Sequence, residues 1–267
     1  MSAIFDFMIV KINKLIGFLI FISSLSCQAN SDVISIGVAN FPPYSIVEKE
    51  AITGIEVEII QESLSIMGYQ TNFVSYPYGR LPISFRNKEI DCTIVTLKNF
   101  TDLEVFYSDI VLREYQTVAI HLKKQNFQIT NIADLENKSI RAHQRASLFY
   151  GDKYKRLAES AEKYQETARQ ESQVLMLYAE RIDVIVLAHE IFKYFKARSP
   201  YKNSDEEYVV SKIFGDKFGF HNAFWDKKVR NDFNNGLALI KENGTYHKIL
   251  SKYLSEYNPN FKFLSTH

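Results

Sequence analysis

Residues 33–69 read VISIGVANFPPYSIVEKEAITGIEVEIIQESLSIMGY, and this stretch decides the fold. The opening VISIGV is a β-branched run of the kind a buried strand requires. Pro42 and Pro43 lack the N–H that a ladder needs, so the strand stops before them. Gly54 then opens a helical pattern in which Ile55, Ile59, Ile60, Leu64 and Met67 share one face, and Gly68 ends it. A strand over 70–75, a short helix from about 79 to 87 and a strand over 92–96 continue the alternation. Strand and helix in this order predict a parallel sheet with crossover helices.

A second α/β segment follows. The run QTVAIHL at 116–122 is extended and leads into a strand over 139–142, helices over 148–161 and 171–180, and a buried strand over 184–187. Residues 208–213 are extended again. The chain then turns strongly helical over 227–241 and, after Gly244, over 245–254. There is no internal repeat, no low-complexity tract and no Gly/Ser linker. The two α/β segments are therefore expected to be joined by extended strands.

The composition narrows the functional classes. Of 267 residues, 46% are hydrophobic and 24% charged, the balance of an ordinary folded globule. Thirty-two Lys and Arg against 31 Asp and Glu leave a net charge of +1, which argues against a broad nucleic-acid-binding surface. Two cysteines, Cys27 and Cys92, are too few for a disulfide framework or a four-ligand zinc site. Cys92, on an expected buried strand, reads as a small apolar residue.

The first 29 residues read as a cleavable signal peptide. Lys11 and Lys14 precede LIGFLIFISSL at 15–25, an apolar run shorter than the ~20 residues that span a bilayer. Cleavage after Ala29 would put Cys27 and Ala29 at the −3 and −1 positions, and Met8 is an alternative start. A lipoprotein anchor on Cys27 is the rival reading. Cleavage would leave 30 basic and 30 acidic residues, no second apolar run of spanning length, and a protein expected in the periplasm.

Searches for reaction chemistry return little. His189-Glu190 resembles the start of a zinc-protease helix, but Lys193 stands where the second histidine must sit. The six histidines never fall at i, i+3 or i, i+4, so no helical metal face is present. No nucleophile elbow, P-loop or dinucleotide fingerprint appears. Acidic pairs such as Glu56/Glu58 and Glu206/Glu207 fit solvated helix or loop faces. The residues point to a binder with no metal and no cofactor.

Six stretches, taken in order, carry a family resemblance. FPPY at 41–44 with ITGIEVEIIQESLSIMGY at 52–69, YPYGRLPISFRNKEIDCTI at 76–94, Tyr107-Ser108-Asp109, IADLENKSI at 132–140, ERIDVIVLAHE at 180–190 and NDFNNGLALIKENGTYHKILSKYL at 231–254 resemble the family 3 bacterial extracellular solute-binding proteins. Each motif is weak alone; their order and spacing over nearly all of 33–258 make the resemblance specific. It implies a type II periplasmic binding protein fold, with two α/β lobes, hinge-connected, closing on a ligand in the cleft between them. Residues 30–116 plus 215–258 would form lobe one, 117–214 lobe two and 259–267 a C-terminal tail. The implied function is capture of a small polar solute for an ABC importer, with a membrane permease as partner and a monomer in solution. A sensing partner of a membrane receptor and, less favoured, a dehydratase-like enzyme are the alternatives.

The resemblance also implies site residues. Phe41 and Tyr44 stand where the family places aromatics at the cleft edge, and a flat ring there can cover an apolar or cationic face. Core packing is the competing reading for Tyr44. Tyr78 stands where the family often has Trp, and Arg80 two residues later could grip a carboxylate. The family's Thr-x-x-Arg becomes Thr96-Leu97-Lys98-Asn99-Phe100-Thr101, without the Arg. Its glycine–threonine anion site becomes Arg145-Ala146-Ser147, and the Asp that holds an α-amino group becomes Ala188. Thr96 remains a candidate ligand contact, and Lys98, Arg80 and Arg145 could supply replacement positive charge. A carboxylate-bearing or otherwise anionic ligand is therefore expected over a cationic one.

Overall fold

The computed structural model describes residues 32–49, 51–96, 100–215 and 218–256. The signal peptide, Cys27, Lys98 and the C-terminal tail lie outside the described residues. From Val33 onward the described chain forms one compact unit. Its strands are β1 Val33–Val38, β2 Ile46–Val47, β3 Ile52–Thr53, β4 Gln70–Ser75, β5 Cys92–Thr96, β6 Phe106–Tyr107 and β7 Leu112–Tyr115, followed by β8 Thr117–Leu122, β9 Ile140–His143, β10 Tyr164–Thr167, β11 Val184–Ala188, β12 Tyr208–Ser211 and β13 Phe218–Phe224. The helices are α1 Ile55–Ser65, α2 Leu81–Arg86, α3 Gly151–Ser160, α4 Gln170–Tyr178, α5 His189–Arg198, α6 Lys227–Glu242 and α7 Thr245–Leu254.

Two main sheets form. The first runs β4-β1-β5-β13-β6, with β7 also paired to β13; the second runs β10-β9-β11-β8-β12. The expected parallel core is present in each: β1 pairs in parallel with β4 and β5, and β9 with β10 and β11. The strands nearest the crossings between the sheets depart from it. β13 lies antiparallel to β5 and β6, and β8 antiparallel to β11 and β12. The chain leaves the first sheet at Tyr115, joins the second at Thr117, and returns between Ser211 and Phe218.

Some elements are harder to see in the sequence. Strand β10, YQET, carries little apolar signal because it is a partly exposed edge. Helix α5 buries only Ile191 and Phe192, too few to set an obvious period. The helix expected over 148–161 starts late: a 3-10 turn spans Ala146–Leu148, and α3 begins at Gly151, whose φ is 78°.

The loop after β1 clamps the start of α1. The N–H of Ile55 donates to the Pro43 carbonyl at 3.0 Å, and that of Glu56 to the Tyr44 carbonyl at 2.9 Å, satisfying two of the orphan donors of the first helical turn. Gly54 is required there, because its φ is +123° and a Cβ would lie 2.5 Å from the Tyr44 oxygen. Ile55, Ile59, Ile60 and Leu64 of α1 are fully buried. Helix α6 packs so closely on α1 that a Cβ on Gly236 would sit 1.9 Å from the Ser63 oxygen.

Glu56 is 2% exposed in the first turn of α1, and its Oε2 has no hydrogen-bond partner. A helix N-terminus favours a carboxylate by about 0.3–1 kcal/mol, yet desolvation wins here and raises its pKa from 4.5 to about 8. Because the folded value is the higher one, the neutral acid is the form the fold favours. Its contribution is full below pH 4.5 and is lost as pH rises toward 8. Glu56→Gln, which mimics the neutral acid, is therefore expected to raise the melting temperature relative to wild type increasingly from pH 5 to pH 8; a constant difference across that range would refute it. Cys92 is a free, fully buried cysteine whose thiol pKa burial raises well above its ordinary value. Native-state labelling by a thiol reagent should consequently be slow at pH 8, and should become fast on denaturation.

Candidate functional site: a cleft at the strand ends

Four strand ends converge on one cleft. Asn40 and Phe41 follow β1, residues 75–80 end β4 and lead into α2, Gln144 follows β9, and Thr167, Ala168 and Gln170 carry the chain from β10 into α4; together they line a cavity of about 550 Å³. The carboxyl ends of parallel strands are where open α/β sheets place ligands, because loops there can diverge without breaking the ladder. Residues of both main sheets contribute.

The first-sheet wall is aromatic. Phe41 and Tyr78 meet edge to face, ring centroids 5.0 Å apart at 87°. Phe41 is held in place by its own loop: its N–H donates to the Ser45 carbonyl at 2.8 Å, and its carbonyl accepts from Tyr44 N–H at 2.8 Å. Tyr44 itself is 3% exposed, in the core, and is not among the lining residues. Core packing is therefore where the structure puts this aromatic. Arg80 does line the cleft, but its guanidinium lies along α2, donating to Ser84 Oγ at 3.1 Å and to Glu89 Oε1 at 3.0 Å. Thr96 ends β5, with its Cα opposite His221 of β13.

The second-sheet wall is polar. Gln170 is 5% exposed, and its Oε1 has no hydrogen-bond partner. Arg145, next to Gln144, is exposed, makes no ion pair among the described residues, and has a left-handed backbone at φ 67°. Burial raises the pKa of the Tyr78 phenol, and the Arg145 charge partly opposes that rise. No Asp or Glu is among the lining residues.

Beside Gln144 runs a chain of hydrogen bonds. His143 Nδ1 lies 3.1 Å from the Gln144 carbonyl, which can only accept, so Nδ1 carries the proton. Nε2 of the neutral ring then accepts from the Tyr150 hydroxyl at 2.5 Å, and the Tyr150 oxygen accepts from Thr117 Oγ1 at 2.8 Å. Desolvation lowers the His143 pKa below its ordinary 6.5, despite the opposing Gln144 contact. It also raises that of Tyr150, keeping the phenol protonated. The network links the end of β9, beside the cleft, to the first residue of β8, just past the crossing between sheets.

Of the residues expected at the site, Phe41, Tyr78 and Arg80 line this cavity, while Tyr44, Thr96 and Arg145 are not among its lining residues. Asn40, Tyr76, Gln144, Thr167 and Gln170 line it without having been expected there, and the His143–Tyr150–Thr117 chain was missed as well. The usable signal was positional: each missed lining residue lies within three residues of a strand end.

The family model for bacterial extracellular solute-binding proteins, family 3, matches residues 34–256. The chain belongs to that family. This family 3 protein is 26% identical over 249 residues to a probable histidine-binding protein of Campylobacter jejuni subsp. jejuni, covering 86% of this chain and 89% of the relative. Among solved structures, a substrate-binding protein of an ABC uptake transporter from Streptococcus pneumoniae with bound histidine matches with a TM-score of 0.67 at 16% identity, over 84% of this chain and 93% of that one. A mutant of ArgBP from T. maritima matches with a TM-score of 0.66 at 21% identity, over 84% and 95%. The fold is thus the two-lobed α/β fold of periplasmic binding proteins, and the family is one of extracellular binders.

Because desolvation holds His143 neutral, histidine NMR should show its Nδ1-protonated tautomer still dominant at pH 6.5. In Tyr150→Phe the Nε2 signal should shift while the Nδ1 proton is retained. A cationic His143 at pH 6.5 would contradict the assignment.

Proposed function

We propose that this family 3 protein is a periplasmic solute receptor that captures a small polar, carboxylate-bearing solute by hinge closure and hands it to the permease of an ABC importer. It acts as a monomer and without turnover. Residues 33–116 with 215–256 would move as one lobe and 117–214 as the other, over the two chain crossings. Export through the N-terminal segment would bring the chain to the periplasm. The named ligands of the relatives, histidine and arginine among them, support an amino-acid-like solute.

The observation that carries the reading is the cleft itself. An aromatic wall faces a polar wall, each rising from the strand ends of a different sheet, and closing one on the other desolvates whatever lies between. The unpartnered Gln170 oxygen is a buried acceptor that a ligand N–H or O–H would satisfy. The lack of a lining carboxylate, with Arg80 and Arg145 at hand, supports an anionic or zwitterionic solute over a purely cationic one.

A thermal-shift screen of the exported form against amino acids, small peptides, amines and dicarboxylates tests this, because a ligand of the folded state must raise the midpoint by mass action. At least one solute should do so, with a fall in radius of gyration by X-ray scattering; equal stabilisation by arginine and glutamate would count against the anionic preference. For that solute, Phe41→Ala should weaken binding about tenfold through loss of its aromatic face, with the apo melting temperature within a few degrees of wild type. A large drop in apo stability would place Phe41 in the core instead.

A further inference from the structure

The turn over residues 145–147 carries an internal anion. One oxygen of the Glu166 carboxylate accepts from the Arg145 N–H at 2.5 Å, and the other accepts from the Ser147 N–H at 2.8 Å and from the Tyr164 hydroxyl at 2.9 Å. Glu166 comes from β10, the strand whose end lines the cleft, and the two amides lie one and three residues beyond the lining Gln144. Successive N–H groups around a left-handed residue form a concave nest for negative charge. Arg145 is that residue, and a non-glycine at φ 67° costs free energy unless its surroundings hold it there. The carboxylate bridges both amides of the turn. Burial alone would raise the Glu166 pKa, but the Ser147 contacts and the Tyr164 and Arg145 bonds outweigh it and leave the group below its ordinary range. It is therefore a charged, fully engaged carboxylate at neutral pH.

We propose that Glu166 is a resident anion that determines specificity: it withholds the Arg145 and Ser147 amides from solutes and leaves the Arg145 side chain as the group on this wall that meets a ligand's negative charge. The proposal rests on the solute-binding reading of the cleft and names how that site discriminates. A solute carboxylate cannot share the two amides with Glu166, because two carboxylates at hydrogen-bonding distance from the same donors repel. It must instead approach the Arg145 side chain, which is exposed and directly follows the lining Gln144. Removing the resident charge should open the turn to carboxylates that wild type rejects, an effect that a purely structural role for Glu166 would not produce.

The test compares L-histidine with histamine, which differ only by the carboxylate, on wild type, Glu166→Ala and Glu166→Gln by calorimetry. Circular dichroism and the melting temperature confirm that each variant is folded. Glu166→Ala should bind L-histidine about tenfold or more tightly than wild type, the worth of one charge-assisted hydrogen bond, with no gain for histamine. Glu166→Gln, which keeps one acceptor, should gain in the same direction but less. A folded Glu166→Ala or Glu166→Gln that gains nothing for L-histidine, or gains equally for histamine, overturns the proposal. Should Glu166→Ala not fold, Glu166→Gln decides alone. Because the comparison uses defined probes and a gain over wild type, its failure is separate from a failure of the solute screen, which asks only whether wild type binds any solute.

Discussion

Strand β8 is buried along all six residues and hydrogen-bonded on both sides, between β11 and β12. The rest of the architecture depends on this. The chain crosses from the first sheet straight into an interior strand of the second, and it returns into β13, an interior strand of the first. Neither crossing strand is free to slide, since a shift of one residue would move every buried side chain to the wrong face. The chain passes between the sheets from Tyr115 to Thr117 and returns between Ser211 and Phe218.

The same constraint places the cleft. With the crossings fixed, the carboxyl ends of β1 and β4 face those of β9 and β10, and the loops leaving them are brought together. Each loop is then held by ordinary backbone chemistry. The Pro43 and Tyr44 carbonyls accept from the first amides of α1, and Glu166 accepts from the amides of the 145–147 turn. The two walls differ in character: rings on one side, the Gln144 and Gln170 side chains on the other. The Thr117–Tyr150–His143 chain joins the first residue of β8 to the end of β9 beside the cleft through one set of hydrogen bonds.

Several buried groups are governed by desolvation, not by a charged partner. Glu56, Cys92, His143 and Tyr150 are all shifted toward their neutral forms by desolvation. Glu166, on the strand whose end reaches the cleft, stays charged, because backbone and side-chain donors compensate for what it loses in water. The surface ion pairs, such as Arg80 with Glu89, involve exposed side chains and add little to stability. Their value lies in where they point a side chain, as the Arg80 pair shows by laying the guanidinium along α2.

The sequence by itself determined the elements whose signal is local. The β-branched run of β1, the 3.6-residue period of α1, the breaks at Pro42, Pro43 and Gly244, and the order of the motifs were all legible, because a buried strand or an amphipathic helix imposes a period on its own residues. Partly exposed β10, weakly periodic α5 and the antiparallel setting of β8 and β13 were not, since their stability comes from partners distant in the chain. Tyr44 and Phe41 stand three residues apart in one motif, and the core was already the competing reading for Tyr44; packing buries Tyr44 and leaves Phe41 lining the cavity. Glu166 is the sharpest case. An acidic residue in YQET carries no pattern, and its meaning arises where β10 lies beside β9 and brings a carboxylate to two amides some twenty residues away in sequence.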